Sequence, residues 1–206
     1  MSVRFDALSS DVSRETLLTL EEFSALLLKW NAKINLVARS QVSDIWTRHV
    51  LDSLQLLPHI PDHCDTLTDI GSGGGFPGIV IAIAVKLQRP NMRIQLVESD
   101  QRKAAFLRTA ARTFDLNVEV FAERIADTTA IKAQCVTARA LAPLTDLLGF
   151  ATQLLESSGV AIFPKGQSAQ AEVATARESW QFSCDATVSQ TDPAAQILVI
   201  KDISRA

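Results

Sequence analysis

Ten residues, Asp69-Ile70-Gly71-Ser72-Gly73-Gly74-Gly75-Phe76-Pro77-Gly78, hold five of the chain's eight glycines. A tight strand-to-helix turn needs one or two. Five point to backbone lying against a ligand, because glycine tolerates positive φ and has no Cβ to keep a ligand away. Gly73, Gly75 and Gly78 carry the GxGxxG spacing of dinucleotide-binding enzymes. Two neighbours argue against a pyrophosphate. Asp69 puts a carboxylate beside the loop, which would repel phosphate and suit a cation. Pro77 removes an amide from the helix start, where a pyrophosphate collects its donors. The chemistry that fits is a nucleoside without phosphates that carries an ammonium group, which is S-adenosyl-L-methionine. Glu98 closes the run Gln95-Leu96-Val97-Glu98 and can accept hydrogen bonds from both ribose hydroxyls. NAD enzymes place an acid in the same way, so Glu98 marks an adenosine ribose without choosing between the two cofactors.

Other reactive groups are sparse. No His, Cys, Asp or Glu cluster has metal-ligand spacing, so no metal is expected. Cys64, Cys135 and Cys184 are odd in number and form no CxxC, which fits free thiols in a reducing cytoplasm. Lys165 follows the apolar stretch Val160–Pro164 and precedes Gly166, at the rim of a strand end, as a phosphate contact or a solvated loop lysine. Arg108 and Arg112 stand one helical turn apart, with Gln101 on the same face, as an RNA track or a solvated helix face. His49, Asp52 and Ser53 sit at neighbouring helical positions. They read first as a structural hydrogen-bonded pair, His49–Asp52 or His49–Ser53, and second as a substrate contact.

The elements that must position these groups follow from hydrophobic rhythm. Leu20, Phe23, Leu27, Trp30 and Ile34 recur at gaps of three and four, the stripe of an amphipathic helix with Ser13 as its cap. A second helix is expected over residues 44–57, capped by Ser43 and stopped by Pro58. From residue 66 short strands alternate with helices. Strands are expected at Thr66–Ile70, Arg93–Val97, Val118–Phe121, Cys135–Ala138, Val160–Phe163 and Ile197–Ile200. Helices are expected at Gly78–Leu87, Gln101–Phe114, Leu144–Leu155 and Ala169–Glu178. This alternation predicts an α/β fold, a doubly wound and mostly parallel sheet preceded by a helical extension. The expected division is residues 1–62 for the extension and 63–206 for the cofactor-binding unit. Ligands then belong outside the carboxyl ends of the strands, just after Ile70, Val97, Phe121 and Ala138.

Composition bounds the partners. With 206 residues, 47% hydrophobic and 21% charged, the chain is an ordinary globular protein. No apolar run approaches the ~18 residues of a membrane span, and the N-terminus has no secretory pattern. The net charge of −3 hides a basic middle, since residues 67–115 hold seven Lys and Arg against four acids. That excludes a binder driven by charge alone, which needs many phosphate contacts, but permits a nucleic-acid partner.

Five motifs together resemble a known family. They are Trp30-Asn31-Ala32-Lys33-Ile34-Asn35-Leu36, His49-Val50-Leu51-Asp52-Ser53, the Asp69–Gly78 loop, Arg139-Ala140-Leu141-Ala142 and Phe163-Pro164-Lys165-Gly166-Gln167. Over nearly the whole chain the sequence resembles the RsmG (GidB) family of class I, Rossmann-like methyltransferases of bacterial small-subunit ribosomal RNA. The resemblance implies transfer of a methyl group from S-adenosyl-L-methionine to N7 of a guanine in the 530 loop of 16S ribosomal RNA. The implied partner is that RNA or the 30S subunit, met in the cytoplasm by a monomer. It implies cofactor contacts at Gly71 and Phe76, alongside Gly73 and Glu98, and at Ile125 and Ala126 around the adenine. The family often has an acid where this chain has Ala126, which spares a backbone contact and removes a side-chain one. Arg139 matches an arginine where cofactor and base meet, and so is expected both to bind the cofactor and to align the substrate; no general base is expected. For an RNA substrate, Lys165 is the candidate contact. Two alternatives stand beside this one: a non-catalytic RNA-binding or assembly factor with a relic loop, and an NAD-dependent oxidoreductase, which lacks an evident proton donor.

Overall fold

The computed structural model describes residues 12–128 and 131–206. Helix α1 (Arg14–Asn31) begins where the Ser13 hydroxyl accepts the Thr16 N–H at 3.1 Å. Its stripe of Leu20, Phe23 and Leu27 is fully buried, worth about 1.5–3 kcal/mol per side chain. Trp30 is half-buried and packs at 5.7 Å from Phe106. At the end of α1 the Asn31 side chain accepts the N–H groups of Leu36 and Val37 at 2.8 and 3.0 Å, which turns the chain back.

The expected helix over 44–57 is replaced by a series of short turns. A 3₁₀ segment spans Arg39–Asp44, a π-helical turn Trp46–Leu51, a single α-turn Asp52–Leu54 (α2) and a 3₁₀ turn Leu57–His59. Ser43 lies inside the first turn and caps nothing, and Pro58 sits within the last. Apolar periodicity does not separate these helix types, because all of them bury one side. The π-turn widens the coil where Arg48, His49 and Asp52 are presented. Such turns gather at functional sites.

The core is one seven-stranded sheet: β1 (Thr66–Ile70), β2 (Arg93–Val97), β3 (Val118–Phe121), β4 (Ala133–Ala138), β5 (Leu155–Lys165), β6 (Trp180–Val188) and β7 (Gln196–Arg205). The order is β3-β2-β1-β4-β5-β7-β6, with the first five parallel and β7 antiparallel to both neighbours. The first three strands have the expected limits. The later ones are longer, and β6 was not anticipated. It is an edge strand of mixed polarity, mostly exposed, so no apolar run announces it.

Helices α3 (Gly78–Val85), α4 (Gln101–Thr113), α5 (Leu144–Leu154) and α6 (Ala169–Ala176) cover the two faces. Every residue of α3 is buried, because it lies between the sheet and the N-terminal helices; a helix apolar all round requires that position. Core residues of α1, α3 and α4 form one cluster, and those of α5, α6 and β6 form another. The parallel register pairs Ile70 with Val97 and Ala138, and Val97 with Phe121. The four strand ends are therefore level, and the order reverses between β1 and β4. The loops after those two strands flank the crevice where ligands bind in such sheets. Among the described residues no helix is long and apolar enough to cross a membrane.

Candidate functional site

Two cavities open at this end of the sheet. The first, about 490 Å³, is lined by Gly71, Gly73, Glu98, Ile125, Ala126 and Leu141, among others. The second, about 710 Å³, is lined by Arg48, His49, Asp52, Arg139 and Lys165 together with the β6–β7 loop. Ala140 lines both. Its φ is +51°, a conformation that costs a non-glycine residue about 1–3 kcal/mol and tends to cluster at functional sites. Arg139 before it faces the second cavity, and Leu141 after it faces the first.

The glycines divide by what a Cβ would meet. At Gly73, with φ +52°, only the Gly71 carbonyl lies nearby, at 3.8 Å. This glycine opens onto the cavity. At Gly75 and Gly78 a Cβ would strike Ile79, and Leu96 with Asp69, so those glycines serve packing. Glu98 ties the loop down. One carboxylate oxygen accepts the Gly73 N–H and the other the Asp100 N–H, each at 2.8 Å. Lone pairs remain for further donors. Ile125 and Ala126 begin a 3₁₀ turn whose carbonyls accept from the Gln153 amide.

Asp69 departs from the reading of its type. It is fully buried and lines neither cavity. It accepts the Thr137 hydroxyl at 2.9 Å and the Gly78 N–H at 3.2 Å, fastening β4 and the start of α3 to β1. Burial pushes its pKa up to about 6, against the hydrogen bonds it accepts. The folded state thus binds a proton more tightly than the unfolded chain, and Asp69 withdraws stability as pH rises from about 4 through 6. Asp69→Asn removes that penalty. Between pH 4 and 7 the stability difference should move in the variant's favour by about 2 kcal/mol. Urea unfolding at stepped pH measures it, and a difference constant with pH refutes the buried ionisation.

In the second cavity Arg139 makes three contacts. Its Nη1 donates to the Arg48 carbonyl at 2.7 Å and lies 3.3 Å from the Asp52 carboxylate; its Nη2 lies 2.6 Å from His49 Nδ1. The guanidinium sits over the Phe76 ring at 5.3 Å, and that ring stacks on His49 at 4.9 Å. Arginine only donates, so Nδ1 accepts and the His49 proton is on Nε2, which is buried without a partner. Burial, then the charges of Arg139 and Arg48, lower the His49 pKa to about 4, so the ring is neutral at pH 7. The expected His49–Asp52 and His49–Ser53 side-chain pairs are not formed. Ser53 donates to the His49 carbonyl, while His49 and Asp52 each turn to Arg139.

The structure thus joins Gly71, Gly73, Glu98, Ile125 and Ala126 at one cavity. Arg139 and Lys165 line the other, and Phe76 is packed beneath Arg139, out of the first cavity. Lys165 pairs with Glu172 at 2.6 Å and donates to the Ala142 carbonyl at 2.8 Å. Arg108 and Gln101 donate to the carbonyls of Val120 and Ala122, so that stripe is partly spent on β3 and the turn after it. Sequence reasoning missed Ala140 and Gln55. A positive φ on alanine leaves no local trace, and a glutamine becomes informative only when its distant partners are known. Among the described residues no group of three or more His, Cys, Asp or Glu could hold a metal ion.

This strand order, with the glycine loop at the point of reversal, defines the class I S-adenosylmethionine-dependent methyltransferase fold. TomG, an O-methyltransferase from Streptomyces achromogenes, superposes with a TM-score of 0.60 at 15% identity, covering 97% of this chain and 94% of its own. The 16S rRNA methylase RmtB superposes with a TM-score of 0.55 at 14% identity, covering 92% of this chain and 75% of its own. The chain belongs to the family described as rRNA small subunit methyltransferase G (GidB), whose model matches residues 16–197. The relative of that name in Ruegeria sp. (strain TM1040) is 50% identical over 198 residues, 96% of each chain. The one in Gluconobacter oxydans (strain 621H) is 48% identical over 194 residues, 94% of this chain and 97% of its own.

Proposed function

We propose that this protein methylates N7 of a guanine in the 530 loop of 16S ribosomal RNA, acting as a cytoplasmic monomer on the RNA or the 30S subunit. The observation that carries the reading is the pair of cavities meeting at Ala140, one lined by glycine backbone and the other by Arg139. Residues 1–62, of which 1–11 lie outside the described residues, would serve as the N-terminal extension and 63–206 as the cofactor-binding unit.

The first cavity suits S-adenosyl-L-methionine, which supplies an electrophilic methyl group on a sulfonium. The open side of Gly73 leaves a cradle that a Cβ would enter. Gly71 and Gly73 would hold the cofactor, Glu98 its ribose, and Ile125 and Ala126 its adenine. Phe76 supports the site from below through His49 and Arg139. Guanine N7 has an exposed lone pair and needs no base. The second cavity agrees, because its candidate bases are engaged. His49 Nδ1 faces Arg139, and Asp52 accepts from Arg139, Gln55 and Thr191. What remains is alignment, and Arg139 is the planar donor placed for it. Lys165 spends two of its three N–H donors on Glu172 and Ala142, which leaves one for a phosphate oxygen.

The deciding experiment is tritiated methyl transfer to 30S subunits from a strain lacking this gene, followed by nucleoside mapping. Label in 7-methylguanosine of the 530 loop is expected; label elsewhere, or none, overturns the reading. Calorimetry with S-adenosylhomocysteine and NADH separates the oxidoreductase alternative.

The two kinds of glycine give a paired prediction. Gly73→Ala, at φ +52°, should cost stability through strain and also weaken S-adenosylhomocysteine binding about tenfold through a methyl in ligand space, while Gly78→Ala should cost about 1–3 kcal/mol of stability by overpacking and put no methyl into the cavity. Equal S-adenosylhomocysteine affinities for the two folded variants would refute the division.

A further inference from the structure

Gln55 is 2% exposed, and both polar atoms of its side chain are engaged. Its Oε1 accepts the Gln190 N–H at 2.8 Å and the Ser189 hydroxyl at 3.2 Å. Its Nε2 donates to Asp52 Oδ1 at 2.7 Å and lies 3.1 Å from Ser189 Oγ. The Thr191 hydroxyl donates to the same Asp52 oxygen at 2.8 Å. The other Asp52 oxygen faces Arg139 Nη1 at 3.3 Å. Asp52 therefore has one oxygen on the β6–β7 loop and one on Arg139.

That loop, residues 189–195, has no regular structure of its own. Thr191, Asp192 and Ala195 in it line the second cavity. An apolar contact would suffice to seat it. A fully satisfied buried polar network holds a single arrangement instead. We infer that Gln55, Asp52 and Thr191 are positioning residues that lock the 189–195 loop to Arg139, so that the far wall of the substrate cavity and the aligning arginine are set as one unit. This deepens the methyltransferase reading and rests on it. The loop would meet the ribosomal RNA, and its seating would be sensed at Arg139 through the two oxygens of one carboxylate.

Three variants test the lock. Thr191→Val keeps the shape and drops the hydroxyl; Thr191→Ser keeps the hydroxyl. Gln55→Glu places a second carboxylate against Asp52 and should act in the same direction more strongly. The first readout is deuterium uptake in the full-length protein, which needs no activity. Thr191→Val should speed exchange in residues 189–195 and 139–142 together, and Thr191→Ser should restore both. Faster exchange in 189–195 alone overturns the coupling, as does no change. The second readout is methyl transfer to 30S subunits at saturating cofactor. Thr191→Val should raise KM for the subunit and lower kcat, each about five- to tenfold, the scale of one lost hydrogen bond. S-adenosylhomocysteine affinity should stay within about twofold. A parallel fall of cofactor affinity and rate would mean that the network serves the first cavity, against the inference. A wild-type protein that transfers no methyl group fails the functional reading, while the exchange measurement still decides the coupling.

Discussion

Arg139→Lys is expected to lower the maximal rate of methyl transfer about 100-fold, the scale of an ångström of misalignment at a reacting centre. The charge is conserved and the geometry is not. Arg139 spans the Arg48 carbonyl, the Asp52 carboxylate and His49 Nδ1 from two nitrogens, and sits over the Phe76 ring. An ammonium on a flexible stem cannot hold that set of partners in one plane. His49 Nδ1 would then be a buried acceptor without a donor, a cost of about 1–3 kcal/mol. Cofactor affinity should change little, because Arg139 lines the second cavity and Ala140 and Leu141 the first. Single-turnover transfer at saturating cofactor, with calorimetry on S-adenosylhomocysteine, reads both quantities. Affinity and rate falling together would make Arg139 a cofactor ligand, as the sequence resemblance implies. If neither falls, it is a structural ion pair.

Glu98→Ala should weaken S-adenosylhomocysteine binding about 100-fold, beyond the loss of a single hydrogen bond. The carboxylate has two tasks. In the proposed site its free lone pairs would accept the ribose hydroxyls, and its oxygens already hold the N–H groups of Gly73 and Asp100. Removing it frees two amides and unties the loop from the end of β2. Hydrogen bonds to a charged acceptor are worth about 1.5–3 kcal/mol each, and Glu98→Gln, which keeps one strong acceptor, should lose about tenfold. A cofactor analogue lacking the ribose hydroxyls separates the tasks: the loss that survives on the analogue is the loop's share. Affinity within about twofold of wild type would remove Glu98 from the site.

The parts of this protein legible in its sequence are those that a few adjacent residues encode. The limits of β1, β2 and β3 follow from short apolar runs beside turn residues. The glycine loop follows from composition, since few other structures call for five glycines in ten residues. The start of α1 follows from Ser13 and its stripe. Where burial and hydrogen bonding depend on distant strands, the same reasoning misplaced elements. The segment 44–57 is amphipathic, as a helix would be, yet folds as a chain of 3₁₀ and π turns that serve Arg139. Strand β6 has too little apolar pattern to be seen, and pairs because β7 offers it an edge.

The sequence by itself determined the α/β alternation, the level of the first strand ends and the place of the glycine loop after β1, because dihedral preference and periodicity are local. Tertiary structure alone decided which groups face which cavity. Asp69, beside the cradle in sequence, is turned inward to Thr137 and Gly78. Arg139, expected to share the cofactor, is separated from that cavity by the left-handed turn at Ala140. Its partners Arg48, His49 and Asp52 come from 87 to 91 residues away, and Asp52 is fixed in turn by Thr191, 139 residues further on. The physical reason is the range of the forces involved. A backbone turn is selected by the residues within it, whereas a buried charge or amide is oriented by whichever partners packing brings alongside, and those are specified only once the sheet has closed.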